Sequence, residues 1–354
     1  MFKVYSNGSR KRLSSQNPHL INIIKFCVSG LSVYYKYITS TIIKKYSTDS
    51  NYMRTFILNP WFITGFVDAE GSFMIKINCL SLTNASLKNK WGLSASFKIT
   101  LHLRDKSLLE QIQLYFGVGK IYTSGSSVAY EVNSLKELEI IMTHFNKYYL
   151  ISQKYSDFQL FKAALAIIKT GEHLTLEGLQ KIVNIKASMN RGLSNKLAAE
   201  FPNTIRAVRP KVEKHIIPDP HWIAGFASGE GCLMVRIRNS STNSTGYRVE
   251  LIFQITQHIR DDLLIISLIN YIGCGKYRER KKGLAGDYLV YKLSDIINTI
   301  IPFFDQYPIL GVKSLEYNDF KLVSNMMKNK EHLTKEGMNQ IIKIRSNMNT
   351  NRAT

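Results

Sequence analysis

Ile63-Thr64-Gly65-Phe66-Val67-Asp68-Ala69-Glu70-Gly71 and Ile223-Ala224-Gly225-Phe226-Ala227-Ser228-Gly229-Glu230-Gly231 are two copies of one nine-residue phrase. Their glutamates stand 160 positions apart (230 − 70). The copying continues downstream. Phe97-Lys98-Ile99-Thr100 pairs with Phe253-Gln254-Ile255-Thr256, and Arg104-Asp105 with Arg260-Asp261. Phe116-Gly117-Val118-Gly119-Lys120 pairs with Ile272-Gly273-Cys274-Gly275-Lys276. Lys154 pairs with Lys313, and Glu172-His173-Leu174-Thr175 with Glu331-His332-Leu333-Thr334. The offset stays between 156 and 160, changing where loops would fall. Segments that align in the same order at one offset define an internal repeat, with a first unit over 53–194 and a second over 219–354.

Each unit reads as helix, two strands, helix, two strands, helices. Pro60 and Pro220 precede an apolar stretch, a normal helix start, and the spacing predicts a first helix over Trp61 to Ala69 that ends near Gly71. Phe73, Ile75 and Ile77 then alternate with Ser72, Met74, Lys76 and Asn78. Alternation with period two is a strand with one buried face. The partner strand turns Leu93, Ala95, Phe97 and Ile99 inward and Ser94, Ser96, Lys98 and Thr100 outward. In the second unit Leu233, Val235 and Ile237 face in, while Met234, Arg236 and Arg238 face out. Val249, Leu251, Phe253 and Ile255 face in, and Arg248, Glu250, Gln254 and Thr256 face out. The expected fold class is therefore α+β, with one antiparallel sheet per unit and helices over its apolar face.

Charge says what the polar faces are for. The 354 residues carry 47 Lys and Arg against 26 Asp and Glu, a net charge of +21, and the pI is about 9.7. Such an excess repels itself unless a polyanion neutralises it. Nucleic acid is the first candidate, because each phosphate contact releases counterions; an anionic membrane surface is the alternative. Two basic sheet faces side by side are wide enough for a duplex, and paired strands can enter a major groove. Lys120, Tyr122, Lys276, Arg278 and Arg280 follow the Gly-x-Gly turns and are expected contacts too, some to phosphate only. The glycines themselves read as turns, not as a phosphate loop. The linker 195–218 carries Pro202, Pro210, Pro218 and several basic residues, which suits an extended connector near DNA.

Gly65 and Ala69 are four apart, as are Gly225 and Gly229. Small residues at that spacing share a helix face and let two backbones approach closely. The two first helices are thus expected to pack on each other about a pseudo-two-fold axis and bring Glu70 and Glu230 together. Two neighbouring carboxylates repel unless cations sit there. Carboxylates together with phosphate oxygens are the usual ligands of Mg²⁺, with the carbonyls of Ala69 and Gly229 as further ligands. Such ions activate water and stabilise the leaving oxygen of a phosphodiester. A single glutamate at a helix end is usually a solvated acid; recurrence at the same place in both units favours a site.

With these residues in view, the two phrases resemble the LAGLIDADG motif of homing endonucleases, in the single-chain, double-motif form. The resemblance covers most of the chain after about residue 53. The stretches from Glu172 to Ser194 and from Glu331 to Asn349 resemble the C-terminal helices of fungal mitochondrial members. It implies a saddle of two αββαββα units that acts as a monomer, cutting double-stranded DNA across the minor groove with a stagger. It also implies divalent metal at the motif acids, here Glu70 and Glu230: Mg²⁺, with Mn²⁺ or Ca²⁺ as other occupants. Lys154 and Lys313 match the family's basic position, and Gln257 matches its amide position. Leu101 stands where the first unit should carry the amide, and Lys98 is the nearby group that could compensate. The earlier motif acid is Asp68 in one copy and Ser228 in the other. Unequal halves imply a non-palindromic target. Two readings from other classes remain: an intron RNA maturase, with host intron RNA as partner, and a non-catalytic DNA-binding regulator. Retention of both acids favours the nuclease.

Other features exclude rather than assign. Cys27, Cys79, Cys232 and Cys274 form no CxxC pair and read as buried thiols in a reducing compartment. No HExxH spacing occurs among the histidines. Arg104-Asp105 and Arg260-Asp261 read as helix-start pairs. Residues 1–52 hold many bases and one acid, Asp49. That segment reads as a mitochondrial transit peptide, as a poor membrane span interrupted by Lys25 and Lys36, or as an upstream-frame extension. Abundant Ile, Asn, Lys and Tyr fit an AT-rich organelle gene, and so a mitochondrial setting.

Overall fold

The computed structural model describes residues 58–79, 91–212, 215–280 and 283–349. The readings of residues 1–52 and of Cys27 lie outside them. The first unit runs α1 (Pro60–Glu70), β1 (Gly71–Cys79), β2 (Trp91–His102), α2 (Lys106–Phe116), β3 (Lys120–Ser124), β4 (Ser127–Val132), α3 (Leu135–Lys147), α4 (Lys154–Lys169) and α5 (Leu176–Ser188). A short helix, α6 (Asn195–Glu200), follows. The second unit repeats the order: α7 (Pro220–Glu230), β5 (Gly231–Asn239), β6 (Tyr247–His258), α8 (Asp262–Ile272), β7 (Lys276–Glu279) and β8 (Ala285–Val290). A helical stretch over 293–306 contains a π turn at Ile296–Ile300, and α9 (Lys313–Lys328) and α10 (Lys335–Ser346) close the chain.

Both sheets are antiparallel, in the orders β1-β2-β4-β3 and β5-β6-β8-β7. Gly71 pairs with Ile99 and Phe73 with Phe97; Gly231 pairs with Ile255 and Leu233 with Phe253. The repeat read in the sequence is thus a repeat of register. One face of each sheet is covered by helices. Phe73 and Phe97 meet Phe145 of α3, and Phe73 also meets Phe158 and Phe161 of α4, with ring centroids 5.2–5.9 Å apart. Burying each such side chain contributes about 1.5–3 kcal/mol. The second core does the same with Leu233, Phe253, Phe304 and Phe320.

Pro60 and Pro220 are themselves the first helical residues, one position earlier than the sequence spacing suggests, because Asn59 and Asp219 supply the caps. Asn59 Oδ1 accepts the Trp61 N–H at 2.8 Å, and Asp219 Oδ1 the His221 N–H at 2.8 Å. Gly71 and Gly231 take each unit from helix to strand with no connecting loop. A Cβ on Gly71 would crowd the Val67 side chain and carbonyl.

Three expectations change. The linker opens with α6 rather than running extended throughout, and its Arg209 ties back to α4: Nη1 and Nη2 reach the Asp157 carboxylate at 2.7 and 3.0 Å, and Nη2 donates to Gln153 O at 2.9 Å. The described cysteines are not buried thiols: Cys79 is exposed, and Cys232 and Cys274 are half-buried. Cys232 falls on the outward register of β5, and Cys274 sits in a turn. Ser96 is on the outward face of β2, opposite Met74, yet it is only 4% exposed, since its short side chain sits below longer neighbours. No helix among the described residues is long and apolar enough to cross a membrane.

Candidate active site

The motif helices α1 and α7 cross at their glycines. A Cβ on Gly65 would overlap the Trp222 carbonyl and approach Phe226 N to 3.0 Å; one on Gly225 would overlap the Phe62 carbonyl and approach Phe66 N to 2.8 Å. The reciprocity of those contacts is the pseudo-two-fold relation. Buried by each other and by both sheets, these helices are apolar almost all round. Further along, Gly229 lies against Ala69 and Glu70, and a Cβ there would stand 3.1 Å from Glu70 Cγ and 3.3 Å from its Oε1. Glu70 and Glu230, each the last residue of its helix, therefore meet half-buried at one end of the crossing.

Two cavities open beside them, and each draws on both units. One is lined by Glu70 and Leu101 of the first unit with Gly229 and Lys313 of the second. The other takes Ala69 and Lys154 from the first and Glu230 and Gln257 from the second. Lys154 Nζ donates to Ala69 O at 3.0 Å, and Lys313 Nζ donates to Gly229 O. Each carbonyl proposed as a metal ligand thus has one lone pair engaged by a lysine and one left. Burial pushes both lysines below the usual amine range, while Glu70 and Glu230 pull them back toward the charged form; Asp68 also does so for Lys154. Burial first, and then the Glu70 charge, pushes the Glu230 carboxyl up, against a hydrogen bond from Gln257 and the two lysine charges. Gln257 shares a cavity lining with Glu230, whereas Leu101, beside Glu70 in the other cavity, has no polar side-chain group to offer.

Among the described residues no cluster of three or more His, Cys, Asp or Glu could hold a metal by itself. Two clustered, partly desolvated carboxylates with free carbonyl lone pairs fit a hard cation that takes its remaining ligands from phosphate and water, as Mg²⁺ does.

The turns that launch the lysines were not legible in the sequence. Asp68 is buried and accepts from Ile151 N (3.0 Å), Ser152 N (3.2 Å), Ser152 Oγ (2.5 Å) and Trp222 Nε1 (2.9 Å). Ser228 does part of this in the second unit: Leu310 N donates to its Oγ at 3.0 Å. The earlier motif position is therefore a structural anchor in both copies, and serine there leaves the acids untouched. Replacing Asp68 with alanine would strand four donors, and should destabilise the fold by about 3 kcal/mol or more. Chemical denaturation measures this; a midpoint equal to that of the native sequence would contradict the anchoring role.

On the groove faces the predicted residues divide. Lys76, Asn78, Ser94, Lys120 and Tyr122 are exposed, and Ser72 and Met74 are half-buried. Lys98 stands 3.9 Å from Glu131. In the second unit Glu250 lies within 3.9 Å of Arg236, Arg238 and Arg248. Arg278 and Arg280 both bond Asp287, at 2.8 and 2.9 Å, and Gln254 and Thr256 bond the same carboxylate. Burial would raise the Asp287 pKa, but these bonds prevail and hold it below the usual carboxylate range. Lys276 lies over the Tyr291 ring at 4.7 Å, and Met234 of β5, at the opposite edge of that sheet, is half-buried. Glu250, Asp287 and Tyr291 were missed as organisers, as were Lys186 and Arg191, which line the Lys154 cavity. Strand alternation shows which face a residue occupies, not which neighbour it finds there.

Comparison with known proteins agrees with this geometry. The family model described as LAGLIDADG endonuclease matches residues 63–165 and 223–324. A probable intron-encoded endonuclease of Neurospora crassa is 40% identical over 305 residues, covering 82% of this chain; the chain spans 65% of that relative's length. I-SmaMI bound to an uncleaved DNA target with calcium ions is 44% identical, with a TM-score of 0.79 over 82% of this chain and 99% of that one. Its complex with cleaved DNA gives 0.81 at 43% identity, over 84% and 98%. The homing endonuclease I-GzeII in complex with its DNA target gives 0.77 at 43% identity, over 84% and 100%. Two copies of the motif on two superposable sheets, with an acid at the end of each motif helix, place this chain in the LAGLIDADG endonuclease family.

Proposed function

We propose that this protein is a site-specific homing endonuclease that cuts a long, non-palindromic double-stranded DNA by divalent-metal-dependent hydrolysis, as a monomer. One observation carries the reading: Glu70 and Glu230 meet at the crossing of the motif helices, each beside a lysine. The groove faces supply the positive charge for phosphate and the polar groups for base edges. Glu70 and Glu230 would hold the metal, with Ala69 and Gly229 carbonyls as further ligands, and Mg²⁺ is the expected ion. When bound, such an ion lowers the pKa of a coordinated water and stabilises the charge that develops on the phosphate. In this reading Lys154 and Lys313 neutralise charge on the scissile phosphates, and Gln257 orients Glu230. The names of the relatives, intron-encoded endonucleases and DNA-bound homing endonucleases, support DNA over RNA as the partner. The AT-rich composition supports a mitochondrial setting.

The test is a plasmid bearing the uninterrupted sequence of the gene in which this reading frame lies, incubated with Mg²⁺ and then with EDTA. The expected result is linear DNA from a single cut with Mg²⁺ and none with EDTA. Tight binding without cutting would overturn the reading and move the question to intron RNA.

A further inference from the structure

We infer that Asp105 and Asp261 are reciprocal positioning residues, each holding the turn from which the other unit's active-site lysine projects. The inference rests on the endonuclease reading for its readout. Asp261 Oδ1 accepts the N–H of Gln153 at 2.7 Å, and Asp105 Oδ1 accepts the N–H of Val312 at 2.7 Å. Gln153 and Val312 are the N-cap residues of α4 and α9, so the next residue in each case is the lysine, Lys154 or Lys313. The partners lie 108 and 207 positions apart in sequence. The same bond is therefore made twice, in opposite directions across the repeat.

Both aspartates stand at the N-caps of α2 and α8, where an Asp ordinarily accepts from its own helix. Neither does so here. Both carboxylates are turned to the other unit instead. Asp261 is nearly fully buried, at 3% exposure. Gly311, at a φ of +71°, clears the way for Asp105, since a Cβ there would come within 2.6 Å of its Oδ1. The consequence is that neither cavity is set by one unit alone: Asp261 fixes the backbone beneath Lys154, and Asp105 that beneath Lys313.

The two turns are not equally secured. The turn at Lys154 is also held by three bonds to Asp68 and by Arg209 on Gln153 O. Apart from the local bonds of Ser314 to Gly311 O, the turn at Lys313 has one such bond among the described residues, from Leu310 N to Ser228. Loss of Asp105 should therefore cost more than loss of Asp261.

The test uses the full chain and a target duplex with each strand labelled separately. Lys154→Ala and Lys313→Ala identify the strand that depends on each lysine. Asp261→Ala should slow the Lys154-dependent strand about tenfold, and Asp105→Ala the Lys313-dependent strand up to about a hundredfold, the range for a catalytic group displaced by about an ångström. Asp→Asn at either site keeps an oxygen that accepts the same N–H, and should cut within about threefold of the native chain. Target affinity should not change. Equal slowing of both strands, or an Asn variant as slow as the Ala variant, would overturn the inference. If an alanine variant does not fold, the Asn variant decides: near-native cutting supports acceptance by Oδ1, and a tenfold loss overturns it. A native chain that binds and never cuts would instead count against the endonuclease reading.

Discussion

Glu70→Gln and Glu230→Gln should each abolish double-strand cleavage, lowering its rate about a thousandfold or more, while target affinity stays within a few-fold of native. Glutamine keeps the size of the side chain, so the packing of Glu70 against Gly229 survives. What changes is charge at the one place where a cation must be held. Each acid lines a different cavity, and a double-strand product needs both. The folding consequences oppose one another. Removing one acid relieves the repulsion that helps to raise the Glu230 carboxyl, but it also takes a counter-charge from the desolvated Lys154 and Lys313. The melting temperature should therefore move by only a few degrees, and the affinity for phosphate should hold or rise slightly with one fewer negative charge. Supercoiled plasmid assays separate linear from nicked product. Linear product from either variant at the native rate would remove both glutamates from the mechanism.

How this site could be read in advance depends on the range over which each feature is encoded. Glu70 and Glu230 were legible because the phrase around them recurs, and a recurrence needs no structure to be seen. The strand faces were legible because alternation is a property of a few consecutive residues. The helix crossing was legible because Gly65 with Ala69, and Gly225 with Gly229, fall on one helix face. Nothing local announces that Asp261 reaches Gln153, or that Arg278 and Arg280 converge on Asp287. Those contacts depend on how two units dock and on the register of the β7–β8 hairpin. Arg104-Asp105 and Arg260-Asp261 show the limit well: their place at a helix start was read correctly, but their carboxylates serve the other unit's helix instead. The linker shows it too: its basic residues suggested a connector near DNA, and one of them, Arg209, is bound to Asp157.

Gly225→Ala should lower stability by about 3 kcal/mol or more, and with it the melting temperature by roughly 5 °C or more. Intrinsic helix propensity predicts the opposite sign, since alanine in a helix interior is favoured over glycine by about 1 kcal/mol. The decision between the two lies in what the new methyl group meets. At Gly225 it meets the Phe62 carbonyl and stands 2.8 Å from Phe66 N. Both are backbone atoms of a buried helix and cannot rotate aside, so α1 and α7 must separate. Separation also strains the bond from Trp222 Nε1 to Asp68 and draws apart the two helix ends that carry Glu70 and Glu230. Cleavage should fall with stability, even below the melting transition. Gly229→Ala is the informative contrast. Its methyl group would meet the Ala69 Cβ, which moves only with its backbone, and the Glu70 Cγ, which can rotate aside, and the crowding falls at the helix ends instead of the crossing. Stability should fall less there, but Glu70 is displaced directly, so cutting should suffer out of proportion. The native pairing of Ala69 with Gly229 leaves room for one methyl group at that level of the crossing, not two. A Gly225→Ala variant as stable as the native chain would mean that the helices do not approach as closely as this geometry requires.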